Sequence, residues 1–295
     1  MKLKKLLAAL AAAAAIPVAA PANAPVMDAD PALWVVKDAD TTIYLFGTIH
    51  LLDGRHDWFN GEVRSAFDAS SELVLEADLP ENPADLRPIV MKYAVDPLGR
   101  TLSSRLTPEL RAQFAREVGT IGLPARNMER LEPWFASMVL TAYSGQKLGL
   151  KTGIGTEAVL KRAATYARKK VSELEGAEDQ IRMMDALPET SQLAFMKQTL
   201  DANVTSRSRL QPMMNAWSSG DAEGLARLVK QGIGSDPGLY KAIISDRNAR
   251  WADWVGERLQ TPGTVFVAVG AGHLGGTDSV QTMLRARGVG TERIG

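Results

Sequence analysis

Ile43-Tyr44-Leu45-Phe46-Gly47-Thr48-Ile49-His50 runs an apolar segment straight into Gly-x-x-His. Val265-Phe266-Val267-Ala268-Val269-Gly270-Ala271-Gly272-His273, near the other end of the chain, does the same. The protein has only three histidines, and two of them close these matched stretches. Each apolar run has the composition of a β-strand, so each histidine is predicted just past a strand's C-terminal end. In open α/β sheets that edge is where ligands bind. Glycine there lets the backbone turn sharply and approach a ligand closely. The two histidines can thus share one crevice, provided the sheet is assembled from distant pieces of sequence.

Working outward, Leu33–Lys37 and Thr42–Phe46 flank the turn-like Asp38-Ala39-Asp40-Thr41 and read as a hairpin. A polar loop, Asp53-Gly54-Arg55-His56-Asp57, leads to a short helix over 60–70 and a strand over Glu72–Ala77. Thr107 with Pro108 behind it is an N-cap signal for a helix to about Val118. Further helices are predicted at 133–148, 156–169 and 178–187, in pieces from 190 to 232, and as one long helix over 237–259. Lys170–Glu175 reads as a strand between two of them. The chain closes with a strand at 264–269, a helix near 277–287 and a last short strand. The expected architecture is one α/β domain over 30–295, its mixed sheet built from N- and C-terminal strands with a helical middle inserted.

The first residues follow a different pattern. A basic head, Met1-Lys2-Leu3-Lys4-Lys5, precedes a Leu/Ala-rich run to Ala20 and small residues through Ala24. This is the order of a secretory signal peptide. It is assigned to residues 1–22, because a cut after Ala24 would put Pro25 beside the scissile bond. Export to the periplasm or the medium is expected. The run is short for a membrane span, and no later segment approaches that length. The 295 residues include no cysteine, so neither a lipoprotein anchor nor a disulfide is available. Removing the signal leaves 31 basic against 34 acidic residues, a net of −3, without the basic excess of a nucleic-acid partner.

Glu76 ends the Leu73-Val74-Leu75 run and is expected at the same edge as His50 and His273. Two imidazoles and a carboxylate are the donors of a divalent-metal site, with zinc, manganese, cobalt and iron all suited. Such a metal acidifies bound water or polarises a carbonyl, and hydrolysis is the natural reaction. Simpler readings stand beside this one. Glu76 shares a strand face with Glu72, Val74 and Asp78, which would make a solvated face. His56 reads as a solvated loop residue. Gly270-Ala271-Gly272-His273-Leu274-Gly275 matches a dinucleotide-binding pattern with Glu292 at the spacing of a ribose-binding acid, but three residues then remain. No His-Glu-x-x-His and no Gly-x-Ser-x-Gly occurs. In the long helix, Ile243, Ile244, Arg247, Trp251 and Trp254 form one stripe. Arg247 either snorkels to the surface or aims its guanidinium at a carboxylate or substrate, with Asn248 beside it. Glu175 ends its own strand segment and is a further polar group for the crevice.

Phe46-Gly47-Thr48-Ile49-His50-Leu51, Leu75-Glu76-Ala77-Asp78, Leu174-Glu175 with Gln180, Arg247-Asn248 and Val269-Gly270-Ala271-Gly272-His273-Leu274 occur in the order found in the TraB/GumN family, and the chain resembles it from about residue 30 onward. The Tiki metalloproteases are relatives of that family. The resemblance implies a domain similar to the erythromycin-esterase and ChaN-like folds, and a metal-dependent protease centre at His50, Glu76 and His273. It also departs at one point, since Gly153-Ile154-Gly155 stands where the family often has Gly-x-Asp. The expected function is an exported metal-dependent hydrolase acting on peptides. His50, Glu76 and His273 would hold the metal, Glu175 would act as general base or outer partner, and Arg247 with Asn248 would meet a substrate carboxylate or oxyanion. The rivals are a peptide- or small-ligand-binding protein of the same fold, and a protein handling haem or polysaccharide at the envelope.

Overall fold

The computed structural model describes residues 26–80, 82–201 and 207–295, so the signal-peptide assignment lies outside the described residues. The strands are β1 (Met27–Asp28), β2 (Leu33–Lys37), β3 (Thr41–Thr48), β4 (His56–Asp57), β5 (Glu72–Leu75), β6 (Lys170–Glu173), β7 (Gly263–Gly270) and β8 (Glu292–Arg293). The hairpin forms as its composition predicts. Asp38 Oδ1 accepts from the Thr41 amide at 2.8 Å and turns β2 onto β3. Six strands make the main sheet in the order β6-β5-β7-β3-β2-β8, while β1 and β4 pair separately.

β3, β7, β5 and β6 run parallel, and their sequences alternate between two buried faces. Phe46, Leu73, Leu75 and Phe266 join Phe67, Trp58 and Trp217 in one core. Ile43, Leu45, Val74, Val265 and Val267 face the other way, onto Trp251, Val255 and Leu284 of the helices Asp246–Arg258 and Val280–Ala286. Val74 is fully buried, which removes the solvated-face reading for β5. The helical middle has a core of its own around Phe114, Trp134, Val139 and Met196. Arg105 ties it together through Glu132 at 2.8 Å and Glu189 at 2.6 Å.

Element boundaries follow local chemistry. Thr107 caps the helix Pro108–Ile121 by accepting from the Leu110 amide, and the helix stops where Gly122 takes a left-handed conformation. The predicted long helix is continuous from Pro237 to Arg258, but Lys241–Ser245 forms a π-helical turn. An extra residue in that turn rotates everything after it, so Arg247, Asn248, Trp251, Ala252 and Val255 become the buried face. His56 is also corrected: its side chain is 3% exposed, beside Asp53 and against Trp217. Glu292 sits on the edge strand β8, paired with Lys37, in a different strand from the Gly270–Gly275 turn.

Candidate functional site at the strand ends

Register brings the site together. Thr48 pairs with Gly270, so the two Gly-x-x-His stretches leave the sheet side by side. Leu75 pairs with Ala268, and the Glu76 amide donates to the Ala268 carbonyl at 3.0 Å. The Glu175 amide donates in turn to the Glu76 carbonyl at 3.0 Å. Across the C-terminal edge the order is therefore Glu175, Glu76, His273, His50. Gly47 is required by the crossing of the two stretches, since a Cβ there would lie 2.9 Å from Ala271 Cβ.

Glu76 and Arg247 are the centre of the cluster. The Arg247 side chain is 6% exposed, so of its two dispositions the structure takes the buried one. Its Nη2 donates to Glu76 Oε1, and Nη2 and Nε each lie 2.9 Å from Glu175 Oε2. Nη1 lies 3.3 Å from His273 Nε2, and Cζ stands 4.7 Å over the Trp251 ring. Glu76 also accepts from Gln180 Nε2 at 3.0 Å and from the Gly270 amide at 2.9 Å. Arg250, which is 58% exposed, holds the other oxygen of Glu175 at 2.9 Å. Burial raises the cost of a charged Glu76, yet Arg247 and the nearby histidines outweigh it and bring the carboxyl down to about 2.

His273 is 5% exposed, and its state is fixed by Asn248. Both amide hydrogens of Asn248 go to carbonyls, those of His273 at 3.3 Å and Asp278 at 2.6 Å. Only Oδ1 is left for His273 Nδ1, 2.6 Å away, so the proton belongs on Nδ1 and the lone pair on Nε2. Burial, against the attraction of Glu76, holds this imidazole down at about 3, with Arg247 pushing the same way. His273 is neutral at physiological pH.

His50 is differently placed. Its side chain is 71% exposed, and Nδ1 lies 2.6 Å from Glu157 Oε1. The Glu157 carboxylate raises the imidazole to about 9, although water around an exposed ring screens part of that pull. Glu157 is a residue that sequence reasoning missed. It sits in the first turn of the helix Thr156–Tyr166. Gly155 packs so tightly on the loop that a Cβ would come within 2.1 Å of the His50 carbonyl oxygen. Thr156 Oγ1 accepts from the Ile49 amide at 2.9 Å. Position 155 is a glycine, and the carboxylate that meets His50 comes from Glu157, two residues further on. The only sequence signal was an acid following that Gly-Ile-Gly.

The expected ligand set is gathered at one edge but divided within it: His50 turns to Glu157, while Glu76 and His273 close on Arg247. Among the described residues no group of three His, Cys, Asp or Glu side chains is placed to hold a metal ion. In this arrangement the set does not fit a metal, because the lone pairs a metal would take from Glu76 and His273 already face a guanidinium. Arg247 is likewise saturated by protein partners.

Comparison with known proteins bears on this centre. The pattern of the TraB/PrgY/gumN family matches residues 32–293. The Escherichia coli (strain K12) protein YbaP, described as uncharacterized, is 30% identical over 257 residues, covering 86% of this chain and 92% of its own. An uncharacterized Treponema pallidum protein is 22% identical over 270 residues, covering 86% and 80%. The zebrafish (Danio rerio) protein named Metalloprotease TIKI1 is 24% identical, covering 92% of this chain and 64% of its own. No solved structure matches the chain. The matched span takes in every residue of the strand-end cluster, and by that span and the Escherichia coli likeness the chain belongs to the TraB/PrgY/gumN family.

Proposed function

We propose that the protein is a hydrolase acting on peptides from this strand-end centre, in the periplasm or outside the cell. The observation that carries the reading is the convergence of His50, Glu76, Glu175 and His273 at the ends of four adjacent parallel strands. The name of the zebrafish relative, a metalloprotease, supports peptide hydrolysis as the class of reaction and gives a metal as that protein's means. Here the donor set is closed on Arg247, so the chemistry is assigned to side chains.

His50 is the member of the cluster with a reactive atom open to solvent. Glu157 faces Nδ1 and keeps the ring proton there, which leaves Nε2 to take a proton from water once the imidazole is neutral. The activated water adds to the peptide carbonyl, the C–N bond breaks, and the proton passes to the leaving amine. Glu76 and Arg247 fix the neighbouring strand ends and set a steady field beside the reacting groups. No helix among the described residues is long and apolar enough to cross a membrane.

A peptide library incubated with the mature protein and read by mass spectrometry tests the proposal. Cleavage that is lost in a folded His50→Ala variant is expected. Peptides retained by the protein yet never cleaved would replace hydrolysis with the ligand-binding reading.

A further inference from the structure

The groups around Arg247 have the chemistry of a cation site. Two carboxylate oxygens, Glu76 Oε1 and Glu175 Oε2, meet on one guanidinium nitrogen, Nη2. His273 Nε2 faces the adjacent nitrogen with its lone pair, because Asn248 has claimed the proton on Nδ1. An imidazole whose second nitrogen is fixed by an oxygen acceptor is how proteins prepare a histidine for a metal. Gln180 and the Gly270 amide steady Glu76 from outside, and Arg250 does so for Glu175. Trp251 roofs the group.

We infer that Arg247 is the resident cation of this centre: its guanidinium, with Nη2 on Glu76 and Glu175 and Nη1 on His273, fills the place a divalent ion would take among the three, so guanidinium and metal exclude one another. The inference rests on the same centre as the proposed hydrolase and concerns what occupies it. Glu175 Oε2 lies 2.9 Å from Nη2. A zinc–oxygen bond is about 2.0–2.2 Å, so the carboxylate has to close by less than about 1 Å once the guanidinium is gone. As they stand, the three donors form no metal group and each faces a guanidinium nitrogen instead. Removing the arginine leaves two buried carboxylates with no central positive charge, an uncompensated charge that a divalent ion would neutralise.

The test is cobalt(II) titration of the mature wild type, Arg247→Met and the double variant Arg247→Met/His273→Gln, followed by visible absorption and calorimetry. Arg247→Met should bind a single cobalt ion about tenfold or more tighter than wild type, with the absorption band lost in the double variant. Its thermal midpoint should fall without metal and recover with it. Should Arg247→Met not fold, Arg247→Gln, whose amide keeps a donor for the two carboxylates, takes its place in the same titration. Wild-type binding as tight as the variant's, abolished by His273→Gln, would overturn the inference, and so would a folded variant that binds none. Peptide cleavage measured on the same samples separates the two readings. Metal gain without wild-type cleavage would uphold the resident cation and remove the hydrolase.

Discussion

At the scale of single residues, the two strand-end histidines are driven to opposite states by their surroundings. His50 lies against Glu157 and in water; its charged form is favoured, to about 9. A raised value means that the pair stabilises the fold below about pH 6.5 and loses that contribution as pH climbs through 9. At 71% exposure the contribution is small, and the ring's own titration is the better readout. In Glu157→Gln the His50 ring protons should titrate at distinctly lower pH by NMR; an unchanged midpoint would separate Glu157 from His50. His273 is held neutral by burial and depends on Asn248 for its orientation. Asn248→Ala strands the buried Nδ1 proton and the Asp278 carbonyl together. The expected loss is about 2 kcal/mol or more in urea unfolding. Unaltered stability would show that the histidine does not need its partner.

At the scale of elements, the sheet was largely legible because its signals are local. Apolar β-branched runs ending in Gly-x-x-His place His50 and His273, and the hairpin composition places β2 on β3. Glu157 was illegible for the opposite reason. Its role comes from the packing of one helix start on the loop after β3, and no spacing in sequence encodes that contact. The π-helical turn at Lys241–Ser245 was equally hidden, since a plain helical period puts Trp254 on the stripe and leaves Asn248 off it. Gly155→Ala tests the helix–loop contact. A methyl group there meets the His50 carbonyl, so the helix has to back away and carry Glu157 with it. A loss of about 1–3 kcal/mol is expected, together with a His50 titration moved toward its ordinary value. Retention of both properties would mean that the loop yields instead.

At the scale of the whole molecule, the buried centre should govern acid stability. His273 and Glu76 both have lowered values, about 3 and about 2, against ordinary values of 6.5 and 4.5. Below pH 6.5 the unfolded chain takes up a proton at His273 that the folded one refuses, and below 4.5 the same holds for Glu76. Their stabilising contribution is therefore complete above pH 6.5 and is lost as pH falls, at about 1.4 kcal/mol per pH unit for each proton. Chemical unfolding between pH 7 and 4 should show this slope, and His273→Gln should flatten its upper part; an identical slope would assign the acid sensitivity elsewhere. The central claim, hydrolysis from the His50 side of the cluster, is tested most directly by cleaving peptides in water enriched in oxygen-18. New C-termini carrying a single heavy oxygen, formed by wild type and lost in folded His50→Ala, are the predicted result. Peptides bound but returned intact and unlabelled, or labelled equally by both proteins, would contradict it.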